Sequence, residues 1–324
     1  MNIYADIFIP TSKNVTVLEN CLDSLNRQSN KNFRVILVSL KNSSELNTML
    51  KKFHLLHVLY LTQKKRGILN AANLALKYAN KKIFVRIDDD VTVAPHWFEN
   101  IVRSFNQNKN IGGVTGPTWL TEEGIKSRDS ITFLSPSKRT SFFAEIIRRF
   151  YLSYLYENKL YSTGIFLRSG NFSIGSNFRE YTKRFADVMN FEACNFAVKR
   201  NLLTKLGGFD KLFEKGLSDY HEADIACKIR ALGYRILFNP KVSVTHRIES
   251  GTTMSRPDAY HRIQNFIFFY KRHIGIKNPN YLMRFLANVF SQNIYYCYTF
   301  LKTGDLSQLG ALPGSIIALL SHKK

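Results

Sequence analysis

The fold of this chain is decided by Ile83-Phe84-Val85-Arg86-Ile87-Asp88-Asp89-Asp90-Val91, a run of strand-forming residues that ends in three consecutive carboxylates. The β-branched and aromatic residues predict a buried strand, and acids at its carboxyl end would face the ligand crevice of an open α/β sheet. Adjacent carboxylates repel one another, so a divalent cation that holds a diphosphate is the ligand we expect there. A solvated acidic turn is the alternative interpretation.

Strands and helices alternate before this segment. The pattern predicts strands at residues 4–9, 33–40 and 55–61, and helices at residues 15–28, 45–53 and 68–79. Such alternation is typical of a parallel sheet with crossover helices. The third helix follows the basic loop Gln63-Lys64-Lys65-Arg66-Gly67, which suits phosphate binding at a helix N-terminus, although a solvated turn has the same composition.

The composition predicts a globular protein with a strong positive charge. The chain has 324 residues, 45% of them hydrophobic and 13% aromatic, which excludes a mainly disordered chain. It carries 46 Lys and Arg against 24 Asp and Glu, a net charge of +22. The polyanions that fit this charge are nucleic acid, an anionic membrane surface and phosphorylated small molecules. No helix-turn-helix, zinc-finger or RNP-type pattern is present, so we expect no nucleic-acid partner.

The cysteines and the N-terminus predict a cytosolic location. Cys21, Cys194, Cys227 and Cys297 form no CxxC pair and no cluster, so we expect reduced thiols rather than zinc ligands or disulfides. The first residues lead directly into Ile7-Phe8-Ile9-Pro10 without a basic segment and an apolar signal core, and we therefore expect no export signal.

Four short motifs occur in a characteristic order. They are Ile9-Pro10-Thr11, Leu22-Asp23-Ser24-Leu25-Asn26-Arg27-Gln28, Arg66-Gly67 through Asn73, and Ile87-Asp88-Asp89-Asp90. In order and spacing they resemble the nucleotide-binding half of family 2 glycosyltransferases of the GT-A fold, a Rossmann-like α/β fold with a mainly parallel sheet. The resemblance implies a nucleotide-diphosphosugar donor, a DXD-type acidic motif, and Mn²⁺ or Mg²⁺ as cofactor.

The resemblance also implies roles for individual residues on the donor side. Asp90 is expected to be the main metal ligand, and Asp88 is expected to face the nucleoside sugar and to share the metal. The remaining donor contacts implied are Pro10, Thr11, Ser39, Arg66, Asn70, Asp89 and Arg247. Ser39 is a departure, because relatives usually carry an acid near the end of the second strand, where it contacts the base; a hydroxyl can still hydrogen-bond a base edge.

The resemblance resumes at residues 190–210, which end in Leu206-Gly207-Gly208-Phe209-Asp210, and continues into Asp219-Tyr220-His221-Glu222-Ala223-Asp224. Transfer with inversion needs a carboxylate that removes the acceptor proton, and Glu222 aligns with the catalytic base of the family. The usual pattern is Glu-Asp-x-Asp, so His221 and Glu222 replace its first two residues. Asp224 matches the last acid and is expected to orient or cap the helix. Asp219 and Asp224 are the alternative candidates for the base. The structural alternative for these acids is stabilisation by the helix dipole.

A strand at residues 242–245 ends in His246, as strands of the family often do. The resemblance implies that His246 is a third metal ligand or contacts the diphosphate, although a lone histidine is more often structural. Arg247, Arg256 and Lys271 are candidate partners of the leaving diphosphate, and a basic surface is the alternative.

Two other segments are amphipathic. Residues 141–152 mix apolar and basic side chains, and we expect them to pack on the sheet rather than to lie on a membrane. The tail, residues 252–324, holds nine Lys and Arg and two Asp, a net charge of +7, with apolar blocks that are too interrupted to span a bilayer. Helices that lie at a membrane surface are our expectation, with a packed helical cap or a dimer contact as alternatives.

These observations predict an inverting, metal-dependent glycosyltransferase. The catalytic domain is expected at residues 1–250, with a donor half at 1–117 and an acceptor half at 118–250, followed by a basic helical extension at 251–324. The expected acceptor is a glycan, lipid-linked or at the cell surface, and the expected location is the cytoplasmic face of the membrane. Transfer to a polyprenyl phosphate, a sugar-phosphate nucleotidyltransferase and a non-enzymatic polyanion-binding protein are the alternatives.

Overall fold

A computed structural model describes residues 4–11, 15–122, 142–247 and 258–321. In chain order, its strands are β1 (Ala5–Thr11), β2 (Phe33–Ser39), β3 (His57–Thr62), β4 (Ile83–Ile87), β5 (Val91–Val93), β6 (Ile111–Thr115), β7 (Thr118–Leu120), β8 (Ala186–Val188), β9 (Asn195–Lys199), β10 (Arg235–Phe238) and β11 (Val244–His246). Its helices are α1 (Val15–Asn26), α2 (Ser44–Leu50), α3 (Ile68–Tyr78), α4 (Trp97–Gln107), α5 (Phe142–Phe150), α6 (Arg200–Lys205), α7 (His221–Ala231), α8 (Ala259–Phe269), α9 (Pro279–Thr303) and α10 (Ala311–Leu320).

The large sheet has the strand order β3-β2-β1-β4-β9-β6-β10-β8. Strands β1 to β4 are parallel, as the alternation of strands and helices predicts. Alternate side chains of one strand enter different cores: Ile7 and Ile9 lie in the core that contains α1, and Phe8 lies in the core that contains α3. A mixed α/β architecture with a large sheet between helices is thus confirmed.

The second half of the sheet is mixed. Strand β9 inserts antiparallel between β4 and β6, and β8 is antiparallel to β10. A small sheet of order β5-β11-β7 stands beside the carboxyl end of β4. Because β5 begins at Val91 and pairs with His246, the acidic turn at residues 88–90 lies directly against β11.

The C-terminal helices α8, α9 and α10 form a third core around Ile263, Phe266 and Phe285. Asn278 caps the start of α9, Pro279 occupies its first turn, and Gly304 ends it with a left-handed φ of 72°. No helix within the described ranges is long and apolar enough to cross a membrane. The division of the chain at residue 250 stays a prediction, since residues 248–257 lie outside the described part.

Helix α5 does not pack on the sheet. None of its residues is buried, and its five large apolar side chains are between 41% and 76% exposed. The expectation that residues 141–152 pack there is therefore wrong for the described positions. A sequence shows that a helix is amphipathic, but most of the apolar side chains of this helix are exposed in the described part of the chain.

Candidate active site

A cleft of about 1320 Å³ opens at the carboxyl ends of β1, β2 and β4. This is where an open parallel sheet usually binds its ligand. The predicted donor residues among its described lining are Pro10, Thr11, Ser39, Arg66, Asp88, Asp89 and Asp90. On the opposite side lie residues 214–218, Asp258 and His261. Five further predicted residues lie outside this lining: Asn70, Glu222, Asp224, His246 and Arg247.

Separate contacts hold the acids of the turn after β4. Thr11 donates its hydroxyl to Asp89 at 2.8 Å, and Arg86 donates to Asp88 at 3.1 Å. The backbone N–H of Arg247 donates to the carbonyl of Asp90 at 2.9 Å. The turn is thus fixed from three sides: by Thr11 at the end of β1, by Arg86 in β4 and by Arg247 after β11. Its carboxylates are therefore preorganised at the cleft.

Asp90 and His246 form the pair that best suits a divalent metal. His246 Nε2 lies 3.1 Å from Asp90 Oδ2, because β11 pairs with the strand that follows the acids. No group of three His, Cys, Asp or Glu side chains that could hold a metal is found among the described residues. Two protein donors are nevertheless enough where phosphate oxygens and water complete the shell, and carboxylate with imidazole suits Mn²⁺. The ligand atoms of Asp90 and His246 therefore fit Mn²⁺ or Mg²⁺. Asp88 accepts a hydrogen bond from Arg86 instead.

Glu222 stands in the first turn of α7 and is buried. Burial raises its pKa to about 7, the positive charge of Arg86 opposes this shift, and the charges of Asp219 and Glu192 add to it. Such a carboxyl group gains and loses a proton near neutral pH, which is the property that a general base needs.

His221 connects Glu222 to the acidic turn. Its Nδ1 donates to the carbonyl of Ser218 at 2.5 Å and lies 3.1 Å from Glu222, and its Nε2 accepts from Arg86. Burial and the charge of Arg86 lower the pKa of His221, so we assign a neutral ring protonated at Nδ1. Arg86 therefore contacts both Asp88 and His221. Sequence reasoning missed Arg86, although a charged residue in the middle of a buried strand was a usable signal.

Asp224 and Asp219 are held by cations of the C-terminal helices and the turn that follows α8. Burial would raise the pKa of Asp224, but hydrogen bonds from His273 at 2.7 Å and pairing with Lys228 at 2.6 Å lower it below its ordinary value. Arg272 also pairs with Asp224, at 3.0 Å, and Arg262 pairs with Asp219 at 3.0 Å. Through these contacts Asp224 orients α7, the helix that carries Glu222. The same contacts attach the C-terminal helices to α7.

The N-terminus of α3 faces a carboxylate that sequence reasoning also missed. Gly67, with a φ of 135°, leaves room for Glu214: a Cβ added at Gly67 would lie 1.6 Å from Glu214 Oε1. Burial raises the pKa of Glu214, and the backbone N–H groups of Leu69 and Asn70 oppose that shift. The sequence predicts a phosphate-binding site at the N-terminus of α3, and the structure places the Glu214 carboxylate there. A phosphate that bound at this position would displace Glu214.

The other predicted contacts have partners of their own. The hydroxyl of Ser39 lies 2.7 Å from the carbonyl of Lys41 and 2.7 Å from the Tyr60 hydroxyl. The amide of Asn70 donates to the carbonyl of Arg66 at 3.1 Å. Lys271 does not line the cleft, because its ammonium donates to three carbonyls at the end of α10, those of Ala318, Leu319 and Ser321. Arg256 lies outside the described residues.

The paired glycines form a turn, with φ values of 78° at Gly207 and 83° at Gly208. The turn packs against α3: Asn73 donates to the carbonyl of Phe209 at 2.9 Å and accepts from its N–H at 2.8 Å. Neither glycine is among the residues that line the cleft. The turn therefore joins the second half of the sheet to the helix of the donor side.

A family model described as Glycosyl transferase family 2 matches residues 6–207. The glucosyl-dolichyl phosphate glucuronosyltransferase of Haloferax volcanii is 23% identical over 198 residues, which are 59% of this chain and 51% of that protein. This chain thus spans about half the length of that curated relative.

Two solved structures cover nearly all of the chain. The mannosyltransferase PcManGT from Pyrobaculum calidifontis, in complex with GDP-Man and Mn²⁺, has a TM-score of 0.54 and 17% identity, over 98% of this chain and 87% of that one. Residues 1–349 of S. aureus TarS, in complex with UDP, have a TM-score of 0.58 and 13% identity, over 98% of this chain and 81% of that one. At these identities, the likeness is evidence for the fold.

Proposed function

The chain belongs to glycosyl transferase family 2 and has the GT-A fold, and from this membership we propose that it transfers a sugar from a nucleotide-diphosphosugar to a hydroxyl group with inversion. The family and the fold confirm the resemblance seen in the motifs. One observation carries the finer proposal: Arg86 joins the acids of the donor cleft to His221, the neighbour of a buried carboxylate with a pKa of about 7.

We assign the donor to the cleft at β1, β2 and β4. The nucleoside lies over Pro10, Thr11 and Ser39, and the diphosphate lies near the acidic turn, with Arg66 and Arg247 as cationic partners. Asp90 and His246 would hold Mn²⁺ or Mg²⁺, with Asp88 beside them. When bound, such an ion supplies positive charge to the leaving diphosphate. The relative solved with GDP-Man and Mn²⁺ supports this assignment.

Glu222 removes the proton of the acceptor hydroxyl. The acceptor oxygen forms a bond to the anomeric carbon while the bond from that carbon to the diphosphate breaks. The proton passes to Glu222, and the nucleoside diphosphate leaves with the electron pair of the broken bond. No covalent intermediate with the protein is needed. Neutral His221 lies beside Glu222, and Asp224 orients α7.

The acceptor we propose is a hydroxyl of a lipid-linked or cell-surface glycan. The Haloferax relative is named for glucosyl-dolichyl phosphate, which is a lipid-linked sugar, and this supports a lipid-linked acceptor. A polyprenyl phosphate is the alternative, but an ionised phosphate needs no base, and the buried Glu222 favours a hydroxyl. The four free cysteines suit a reducing compartment, so we propose the cytoplasmic face of a membrane as the location.

A nucleotide-sugar panel tests the function. The melting temperature Tm is measured with UDP, GDP, dTDP and CMP sugars, with and without Mn²⁺. We expect one nucleotide sugar to raise Tm only when the metal is present, because ligands that bind the folded state stabilise it. If none of them shifts Tm under either condition, the transferase proposal is overturned. Salt-sensitive binding of DNA or RNA would then become the explanation of the charge.

The pH dependence of the rate tests the base. Since burial raises the pKa of Glu222 to about 7, we expect kcat/KM to rise roughly tenfold per pH unit below neutrality and to level off above it. The pKa of Glu222 is about 4.5 in the unfolded chain, so the folded state binds this proton more tightly. The free energy of unfolding therefore falls as the pH rises from about 4.5 to about 7. Tm is followed in parallel. A rate that levels off already near pH 5 would contradict the assignment.

A further inference from the structure

The long helix α9 carries a continuous apolar stripe on its exposed side. Its residues recur every three or four positions and are between 41% and 79% exposed: Met283, Leu286, Phe290, Ile294, Tyr298 and Leu301. This spacing places all of them on one side of a helix with 3.6 residues per turn. The opposite side, with Phe285 and Val289, enters the core of the C-terminal helices. The side chains of the exposed stripe therefore do not contribute to the core of the C-terminal helices.

Two neighbouring elements widen this stripe. The turn after α5 contacts α9 at Arg284, which donates to the carbonyl of Tyr154, and at Ser291, whose carbonyl lies 3.5 Å from the Tyr151 hydroxyl. On the other side, Asn293 donates to the Ser315 hydroxyl of α10 at 2.8 Å. At about 100° per residue, the contacts with the turn after α5 and with α10 lie on opposite flanks of the stripe.

Both flanking helices expose apolar side chains of their own. On α5 these are Phe142, Phe143, Ile146, Ile147 and Phe150, and on α10 they are Leu312, Ile316, Ile317 and Leu320. Large exposed apolar areas on soluble proteins usually mark an interaction site. We name the exposed side chains of α5, α9 and α10 the helical face.

The charges around the helical face identify the occupant. Between residues 278 and 303 the sequence has two charged side chains, Arg284 and Lys302, and both are basic. Arg148 and Arg149 belong to the last turn of α5, where both pair with Glu145, so this helix keeps a net charge of +1. Basic and tyrosine side chains beside an apolar surface suit anionic lipid headgroups. A second copy of this chain would instead bring a net charge of +22 against a net charge of +22.

We propose that the helical face binds the surface of an anionic lipid bilayer. Its apolar side chains enter the boundary between headgroups and acyl chains, and its helices lie along the surface without crossing it. Helix α8 connects this face to the cleft: Asp258 and His261 at its start line the cleft, and Arg262 pairs with Asp219. The bilayer thus lies at a fixed position relative to the cleft. This inference does not depend on the reaction proposed above.

Co-sedimentation with vesicles tests the proposal. The full chain is mixed with vesicles of phosphatidylcholine alone and with equimolar phosphatidylcholine and phosphatidylglycerol. We expect it to sediment with the anionic vesicles, to bind them less at high salt, and to bind the neutral vesicles weakly. No binding to the anionic vesicles, or equal binding to both kinds, would overturn the proposal.

A paired variant locates the contact. Phe290→Gln combined with Leu301→Gln removes two exposed side chains of the stripe, and we expect vesicle partitioning to fall at least about tenfold. Leu55→Gln is the matched control, because Leu55 is exposed to a similar extent outside the helical face, and it should bind like wild type. Unchanged partitioning of the double variant would overturn the assignment. The assignment would also be overturned if the wild type formed a dimer in sedimentation analysis, the double variant did not, and neither protein bound vesicles.

Three measurements show whether the double variant is altered only at the proposed membrane contact. Circular dichroism and Tm should be unchanged in the double variant, since glutamine is a good helix former and both positions face solvent. Nucleotide-sugar binding to the double variant should also be unchanged. Vesicle binding without any nucleotide-sugar binding would separate a failure of the proposed function from a failure of this inference.

Discussion

Replacing Glu222 with Gln is expected to lower kcat by about 10²–10⁴, the usual contribution of a general base. The substitution keeps the size of the side chain but removes the group that accepts the proton. Donor binding should persist, because the acids that lie at the cleft are on a different element. The measurement is kcat in a steady-state assay, together with the dissociation constant Kd of the nucleotide sugar found by the panel.

The matched control for this variant is Glu99→Gln. Glu99 and Glu222 each stand in the first turn of an α-helix, so both substitutions remove the same favourable interaction with a helix dipole. Glu99 pairs with Arg103 at the surface, and its loss should leave kcat unchanged. Equal effects of the two variants would mean that Glu222 stabilises its helix only. Glu222→Asp should retain more activity than Glu222→Gln because it keeps a carboxylate.

The first half of the fold could be predicted because its signals are local. In β1 to β4 each strand is followed by a helix or by an acidic turn, and the crossover rule then leaves a parallel sheet as the simplest topology. The second half could not be predicted in this way. Strand β9 pairs with β4 at a distance of more than a hundred residues and in the antiparallel direction, which no short pattern in the sequence encodes.

The candidate site shows the same division. The acids at residues 88–90 end a recognisable strand, so local pattern was enough to select them, whereas His246 became a candidate through the resemblance to the family. That the two lie together follows from the pairing of β5 with β11. The positions of Glu214 at the start of α3 and of Arg86 between Asp88 and His221 depend on contacts between distant segments. Such contacts are set by packing, and one sequence does not display them.

The C-terminal helices show a further reason for incomplete prediction. Their sequence is apolar and basic throughout, which agrees both with a packed cap and with helices at a membrane surface. The structure shows a buried and an exposed apolar side in one helix: Phe285 and Val289 of α9 are buried, while Phe290 and Leu301 are exposed. A periodic pattern identifies an amphipathic helix but does not identify what covers its apolar side.

Replacing Asp90 with Ala is expected to weaken binding of the nucleotide sugar in the presence of Mn²⁺ by about a hundredfold or more. The physical reason is the loss of the carboxylate that we assign to the metal, whose electrostatic contribution to phosphate binding is several kcal/mol. His246 would then be the remaining donor of the pair, and one imidazole holds a divalent ion weakly. Calorimetry with and without Mn²⁺ measures the effect on the donor, and a titration with Mn²⁺ alone measures the effect on the metal.

Asp23→Ala is the control for the Asp90 variant. Asp23 is an exposed acid of α1 that pairs with Arg27, so its removal changes the net charge by the same amount without touching the cleft. It should bind metal and donor like wild type. If Asp90→Ala kept metal-dependent donor binding, Asp90 would not be a ligand, and Asp88 would have to leave Arg86 to take its place. Because Arg86 also holds His221, this change would be expected to disturb the region around Glu222 as well.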